Sequence, residues 1–457
     1  MTTNGKHPND QRADGRGTES WHESPETLPR SADESLALRF ADSHKNRLRY
    51  THAWGRWQHF DGSRWCDDFT LLASDYARQI CREAAAEAKS APEAKETGSA
   101  RKRASVISLA REDRRLAATA EQWDGNPLLL NTPAGVIDLR TFETTAHRPS
   151  DYFTKITAIE GRGTCPRWLQ FLKEITGGDT QLAEFLQRVA GYALTGLTTE
   201  HALFFLYGTG ANGKSVFLST LAGIMGDYHR AAPIEAFTAS TGERHPTELA
   251  MLRGARLVTA VETEEGRRWA ESRIKTLTGG DKVTARFMRQ DFFEFSPQFK
   301  LIIAGNHKPS LRTVDEAIRR RFHLIPFTIT ISPEDRDPNL AEKLRKEWPG
   351  ILLWALDGWA AWQETGLAPP LAVTAATAAY LEAEDALGAW TDEECELLGE
   401  EALSVLYASW RQWAETNGEP PRTNKWLSQA LEARGFDQKK TMKGKVMLGI
   451  RSRRGTE

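Results

Sequence analysis

Gly208-Thr209-Gly210-Ala211-Asn212-Gly213-Lys214-Ser215 follows the apolar run Leu203-Phe204-Phe205-Leu206-Tyr207 and precedes the amphipathic run Val216-Phe217-Leu218-Ser219-Thr220-Leu221. Strand, glycine-rich loop and helix in that order are what a phosphate-binding P-loop requires. The glycines at 208, 210 and 213 let the backbone approach a ligand where a side chain would obstruct it. The loop's N–H groups and the helix N-terminus then present partial positive charge to phosphates. Lys214 is expected to reach the β- and γ-phosphates, and the Ser215 hydroxyl to ligate Mg²⁺. The expected cofactors are therefore ATP and Mg²⁺.

A P-loop alone does not separate kinases, GTPases and motors, and three features downstream narrow the choice. Leu257-Val258-Thr259-Ala260-Val261 is a β-branched apolar run that ends at Glu262, with Glu264 two residues on. A buried strand that delivers a carboxylate to the loop can hold the metal and polarise the attacking water. Glu262 is assigned to the metal side and Glu264 to the water. A second buried-type strand, Lys300-Leu301-Ile302-Ile303-Ala304-Gly305, ends in Asn306-His307-Lys308-Pro309, which places a polar amide at its tip. Finally, Arg319-Arg320-Arg321 precedes Phe322-His323-Leu324-Ile325-Pro326-Phe327. An arginine supplied by a neighbouring subunit stabilises charge on the transferring phosphoryl group, and the three arginines cannot all serve one site. Between these features, Gly279-Gly280-Asp281 reads as a turn with Lys282, Arg286 and Arg289 on its return strand. Such a basic hairpin suits a phosphodiester backbone, and Lys282 and Arg286 are the expected DNA contacts.

Outward from this core, composition divides the chain into six segments. Residues 1–34 are polar and read as a disordered tail. Residues 35–165 form an α+β accessory region, with a hairpin turn expected at Asp61-Gly62 and an Ala/Glu/Lys-rich helical middle. The basic cluster Arg101-Lys102-Arg103 within that middle reads as a solvated helix face. Residues 166–200 are a helical collar, 201–330 the α/β nucleotide-binding core, and 331–395 a helical extension. Residues 396–457 hold a helix carrying Leu403, Leu406, Tyr407, Trp410 and Trp413, then a second over roughly Thr423–Arg434 closed by Gly435. The end of the chain is basic, with Lys439, Lys440, Lys443, Lys445, Arg451, Arg453 and Arg454 against Glu457.

The 457 residues carry a formal net charge of −2, so any nucleic-acid surface must be local. Cys66, Cys81, Cys165 and Cys395 are scattered at no metal-binding spacing, which argues for a reduced, cytosolic protein without disulfides. No apolar run reaches membrane-spanning length, and the N-terminus lacks a signal core, so no membrane partner is expected.

The ordered set G-T-G-A-N-G-K-S, E-T-E-E, K-x-L-T-G-G-D-x-x-x-A-R, G-N-H-K-P and R-R-R-F resembles a superfamily 3 helicase. More closely, it resembles the helicase portion of phage/plasmid-type primase–helicases, relatives of the poxvirus primase–helicase. The likeness extends to Asn131-Thr132-Pro133-Ala134-Gly135-Val136-Ile137-Asp138-Leu139 and to Gly191-Tyr192-Ala193-Leu194-Thr195-Gly196 upstream of the loop. The resemblance implies an AAA+-like core in a ring, as a rule a hexamer, that moves on single-stranded or forked DNA at the expense of ATP, with a winged-helix-like C-terminal unit. It implies Gly208–Ser215 as the Walker A loop, Glu262 and Glu264 as the Walker B acids, Asn306 as the polar sensor and Arg320 or Arg321 as the finger. A primase and a single-strand-binding protein are the further partners implied, in the cytoplasm of a bacterial host and at its nucleoid during replication. The separation of the two acids by Thr263 departs from the adjacent pair usual in the family. The 207 residues that precede the loop match the accessory region of such helicases, and Asp67-Asp68 reads as structural, so priming by this chain alone is not expected. The same motifs are compatible with an ATP-gated DNA-binding replication initiator, a primase or primase-associated subunit, and a P-loop small-molecule kinase.

Overall fold

The alternation of apolar runs and helical segments after residue 200 resolves into a five-stranded parallel sheet. Its strands are β1 (Leu203–Tyr207), β2 (His229–Ala231), β3 (Leu257–Glu262), β4 (Lys300–Gly305) and β5 (Phe322–Pro326), in the order β5-β1-β4-β3-β2. The computed structural model describes residues 29–239, 247–262, 266–286, 292–312, 314–419, 422–442 and 444–453. Residues 1–28 of the expected tail, Glu264, Arg289, Lys443, Arg454 and Glu457 lie outside these residues, while Asp33 and Glu34, placed in the tail by composition, open the helix Asp33–His44.

Parallel strands are buried on both faces, and their sequences show it. Phe204, Leu206, Ile302, Ala304 and Ile325 enter one core, while Leu203, Phe205, Leu301, Ile303, Phe322 and Leu324 enter the other. Helix α1 (Lys214–Met225) follows the loop, and its Phe217 stacks on Trp168 at 5.6 Å. Trp168 belongs to the helix Pro166–Thr176, which pairs with the helix Thr180–Ala193 that Asp179 caps by accepting from Leu182 N. The long helix Leu340–Thr365 crosses the second of these at a pair of glycines. A Cβ on Gly191 would lie 2.1 Å from Trp359 N, and one on Gly358 2.1 Å from Gln187 O.

Two buried cations join the sheet to what precedes it. Lys300 Nζ donates to Thr195 Oγ1 at 3.2 Å and Leu197 O at 3.1 Å, and also to Thr195 O. Arg256 donates to Leu194 O and Leu129 O at 2.6 Å each. Carbonyl oxygens at helix and strand ends thus replace the water these charges give up. Burial pushes the Lys300 ammonium well below its ordinary basicity, with Arg256 adding to the effect.

The chain divides into two units: residues 60–66 and 119 onward, which hold the sheet, and residues 29–59 with 67–118. The latter contains helices Asp33–His44, Leu72–Ala86, Ala91–Thr97 and Ala100–Ala110 around Leu36, Phe40, Ala77, Ile80, Cys81, Val106 and Ala110. Asp61-Gly62 does turn a hairpin, its carboxylate accepting from Ser63 N and Arg64 N.

Beyond β5, the helix Leu371–Ala383 is followed by a helix (Ala386–Glu394), two short strands (Cys395–Glu396 and Glu400–Ala402), two helices (Leu403–Thr416 and Asn424–Ala433), a hairpin of Gln438–Thr441 with Gly444–Leu448, and a strand Arg451–Ser452 that pairs with Cys395–Glu396. Trp410 fills the middle of this set, 5.8 Å from Trp390 and 5.4 Å from Trp426.

One expectation is corrected. Gly279-Gly280-Asp281 does not turn a hairpin: α2 (Glu271–Gly279) runs into it, and Gly280 ends the helix at φ +80°. Ile274, Leu277 and Thr278 are buried on this helix, so its last turn is held by packing. The hairpin forms downstream, where Val283–Ala285 pairs antiparallel with Phe293–Phe295.

Candidate nucleotide site and its relatives

Register brings the site together. Gly305, the last residue of β4, lies opposite Tyr207, the last of β1, and opposite Glu262, the last of β3. Three strands therefore finish flush, and the loop after β1, the carboxylate ending β3 and the amide after β4 meet at one sheet edge. They line a cavity of about 420 Å³ that Gly210–Val216, Val261, Glu262 and Asn306 enclose. Ligands of open α/β sheets bind at this carboxyl-terminal edge.

The loop is held by its own polar groups. Lys214 is buried, and its Nζ donates to Gly208 O at 2.7 Å, Asn212 Oδ1 at 3.1 Å and Asn306 Oδ1 at 3.3 Å. Asn212 Nδ2 donates to Phe327 O at 2.7 Å, pinning the loop to the residue after β5. Gly213 takes φ +84° and has Ile175 so close that a Cβ would sit 2.4 Å from it, so only glycine fits there. Burial lowers the basicity of Lys214, and phosphate oxygens in place of the loop's neutral acceptors would restore it.

The Glu262 side chain is fully enclosed, 3.6 Å from Arg267 Nε. Arg267 also reaches Glu235 Oε1 at 2.7 Å, and its carbonyl accepts from Ser310 N at 2.9 Å. Sequence reasoning missed Arg267. No periodicity marks it, and its position follows from the threading of residues 266–270 beside 237–239 and 310. Lys308 was equally silent; its ammonium lies 4.2 Å from the centre of the Tyr207 ring. Ser215 is exposed at the mouth of the cavity. Its hydroxyl and the Glu262 carboxylate are hard oxygen donors lining one space, the donor chemistry that Mg²⁺ takes. Glu264, assigned to the water, lies outside the described residues.

The arginines lie elsewhere. β5 runs parallel to β1, and Leu203 N donates to Arg321 O at 2.7 Å, so Arg320 and Arg321 sit at the edge opposite their own loop. Five strand residues separate the two edges, roughly 16 Å. The structure also distinguishes the three arginines. Arg319 pairs with Asp385 at 3.3 Å. Arg321 is buried, donating to Thr278 Oγ1 at 3.2 Å and Ala317 O at 2.7 Å, so it is not presented to a neighbour. Arg320 is exposed and makes no ion pair among the described residues.

Lys282 and Arg286 flank the strand Val283–Ala285. Alternation puts them on the face opposite the buried Val283 and Ala285. Lys282 is 3.9 Å from Glu294, and the Arg286 guanidinium stands 4.8 Å from the Phe292 ring centre. Asp67 and Asp68 serve the fold: the first pairs with Arg56 at 3.0 Å and the second accepts from Leu72 N and Ala73 N. Among the described residues no cluster of metal-ligating side chains occurs, and no helix is long and apolar enough to cross a membrane.

Residues 37–177 match a family profile described as D5 N terminal like, and residues 206–321 match DUF5906, a family of unknown function. A protein of Acanthamoeba polyphaga mimivirus named "Putative helicase L207/L206" is 27% identical over 323 residues, 64% of this chain and 34% of that protein. "Putative helicase 022R" of Frog virus 3 (isolate Goorha) is 24% identical over 329 residues, 66% of this chain and 32% of the other. The chain thus spans about a third of the length of these relatives. Among solved structures, the apo C-terminal region (305–718) of NrS-1 superposes with a TM-score of 0.53 at 11% identity, covering 92% of this chain and 99% of that one. A second apo form of the same region gives 0.51 at 10% identity, with 90% and 97% covered. At such identities the two structures speak for the fold. In sequence and in fold the chain thus resembles proteins of the phage and viral primase–helicase type.

Proposed function

We propose that this chain is an ATP-dependent DNA helicase of superfamily 3, acting as a ring in the replication of a phage, plasmid or integrated element alongside a primase. The observation that carries the reading is the split geometry. Lys214, Glu262 and Asn306 share one cavity, while the exposed Arg320 stands at the far edge of the sheet. A site divided in this way is complete only where two copies meet, which favours an AAA+-like ring over a monomeric kinase.

On this reading ATP lies against the loop's N–H groups, and Lys214 trades its three oxygen acceptors for phosphate oxygens. Ser215 and Glu262 hold Mg²⁺, which supplies charge neutralisation between the phosphates when bound. Arg267 keeps the Glu262 carboxylate oriented, Asn306 aligns the attacking water, and Glu264 accepts its proton. Arg320 of the adjoining copy meets charge building on the γ-phosphoryl group. Lys282 and Arg286, together on one face of their strand, grip the DNA strand's phosphates.

The C-terminal unit is read as a winged helix. Its two consecutive helices packed beside a small sheet and followed by a hairpin support this, as does Lys440 directly opposite Lys445 in the hairpin. Like charges so placed repel and are relieved by a phosphate.

Single-stranded DNA is expected to stimulate ATP hydrolysis by the wild type. Glu262→Gln should lower kcat at least about 100-fold while ATP still binds, measured by phosphate release beside equilibrium binding of a fluorescent ATP analogue. Full turnover by Glu262→Gln would remove this carboxylate from the mechanism.

A further inference from the structure

The N-terminal unit holds a groove that the ATPase reading does not use. Helices Leu72–Ala86 and Ala100–Ala110 pack through Ala77, Ile80, Cys81 and Val106. Along one margin of that packing, residues 100, 103, 104, 107, 108 and 111 recur at the three- and four-residue spacing of one helix face. Ser74 and Arg78 face them from the other helix, across a groove of about 440 Å³. The small side chains of Ala100 and Ala104 leave it open. Its lining carries three arginines (Arg78, Arg103 and Arg111), two serines and no carboxylate.

None of these charges is neutralised inside the groove. Arg103 Nε is buried and has no hydrogen-bond partner among the described residues, an arrangement that costs stability until an acceptor arrives. Arg111 stands 5.3 Å from the Tyr50 ring centre and makes no ion pair among the described residues. Among the described residues Arg78 pairs only with Asp75, one turn away in an exposed pair that water screens.

Ser74, Ile107 and Arg111 also line an adjoining groove of about 320 Å³, bordered by Trp57 and Phe69. Phe69 is 82% exposed, an unusual position for so large an apolar side chain. The two carboxylates of this second groove are occupied, Asp67 by Arg56 and Asp68 by the helix start at Leu72.

Cations with no carboxylate lining their groove, followed by a presented aromatic ring, match the alternation of phosphate and base along an unpaired strand. We propose that the joined groove binds single-stranded nucleic acid, with its phosphates on Arg78, Arg103 and Arg111 and a base against Phe69. The cluster read from sequence as a solvated face is then in part a strand contact, through Arg103. This site rests on the nucleic-acid part of the proposed function. It adds a second hold on the strand, separate from Lys282 and Arg286.

The test is fluorescence anisotropy of a labelled oligothymidylate against the full chain without ATP, over a series of salt concentrations. Arg78→Ala/Arg111→Ala changes only exposed side chains, and circular dichroism with thermal unfolding verifies its fold. Losing two phosphate contacts should reduce the slope of log affinity against log salt by about 1.4. Phe69→Ala should weaken binding about tenfold at every salt concentration and leave the slope alone. A wild-type slope and affinity in the double variant, with a reduced slope in Lys282→Ala/Arg286→Ala, would overturn the groove and leave the DNA reading standing. Absence of oligonucleotide binding by the wild type would overturn both. Displacement by polyglutamate at equal charge, with Phe69→Ala without effect, would overturn the strand in favour of an acidic protein surface.

Discussion

Lys214→Ala is expected to abolish ATP turnover, with kcat/KM reduced at least about 100-fold, because it removes the one cation buried among the loop's oxygens. A preorganised donor aimed at developing phosphoryl charge contributes on that scale in a site shielded from water. The ammonium is held between Gly208 O, Asn212 Oδ1 and Asn306 Oδ1, and a phosphate arriving in the cavity meets it already placed. Lys214→Arg should fail nearly as badly, since a planar guanidinium on a different stem cannot reproduce three convergent bonds to one nitrogen. Phosphate-release assays with both variants check this, beside circular dichroism to verify the fold. Wild-type turnover by Lys214→Ala would place hydrolysis elsewhere in the chain.

Arg320→Ala should cost about 1000-fold in kcat and nothing in stability, the range in which a trans arginine acts. Arg321→Ala should show the reverse emphasis. Its guanidinium is buried and donates to Thr278 Oγ1 and Ala317 O, and its loss removes both charged hydrogen bonds at a buried position, lowering stability by about 1–3 kcal/mol. Mixing gives the sharper reading. An Arg320→Ala copy retains an intact loop, and a Lys214→Ala copy retains an intact Arg320. Where they meet in that order, one interface is complete. Mixed assemblies should therefore recover activity that neither variant has alone. Failure to recover, with mixed assembly verified by native mass spectrometry, would place the arginine in its own copy's site or outside the mechanism.

The parts of this fold that were legible in the sequence are those whose pattern is local. Leu257–Glu262 and Lys300–Gly305 form strands over the ranges their apolar runs suggest, because strands buried on both faces leave no polar interruption. Thr423 caps the helix Asn424–Ala433 by accepting from Trp426 N, and Gly435 takes the left-handed conformation after it at φ +90°. The flush ends of β1, β3 and β4 could be anticipated only as a requirement of the P-loop; the register itself is a three-dimensional fact.

The illegible parts depend on distant partners. Gly279-Gly280 ends a helix or turns a hairpin equally well in local terms, and burial of Ile274 and Leu277 decided for the helix. Arg319, Arg320 and Arg321 are indistinguishable in sequence. Asp385 takes the first and Thr278 the third, and those contacts leave the second exposed. Lys300 reads as the edge of a strand, yet it is buried because the carbonyls of Thr195 and Leu197 come to meet it. Arg103 reads as surface, and only the neighbouring helix Leu72–Ala86 makes a groove of it.

The most direct measurement is strand separation of a forked DNA duplex with ATP and Mg²⁺, wild type beside Lys214→Ala. The account predicts ATP-dependent unwinding by the wild type and none by the variant. Hydrolysis of ATP by the wild type without any strand separation would contradict the helicase reading and leave a DNA-assembled ATPase in its place.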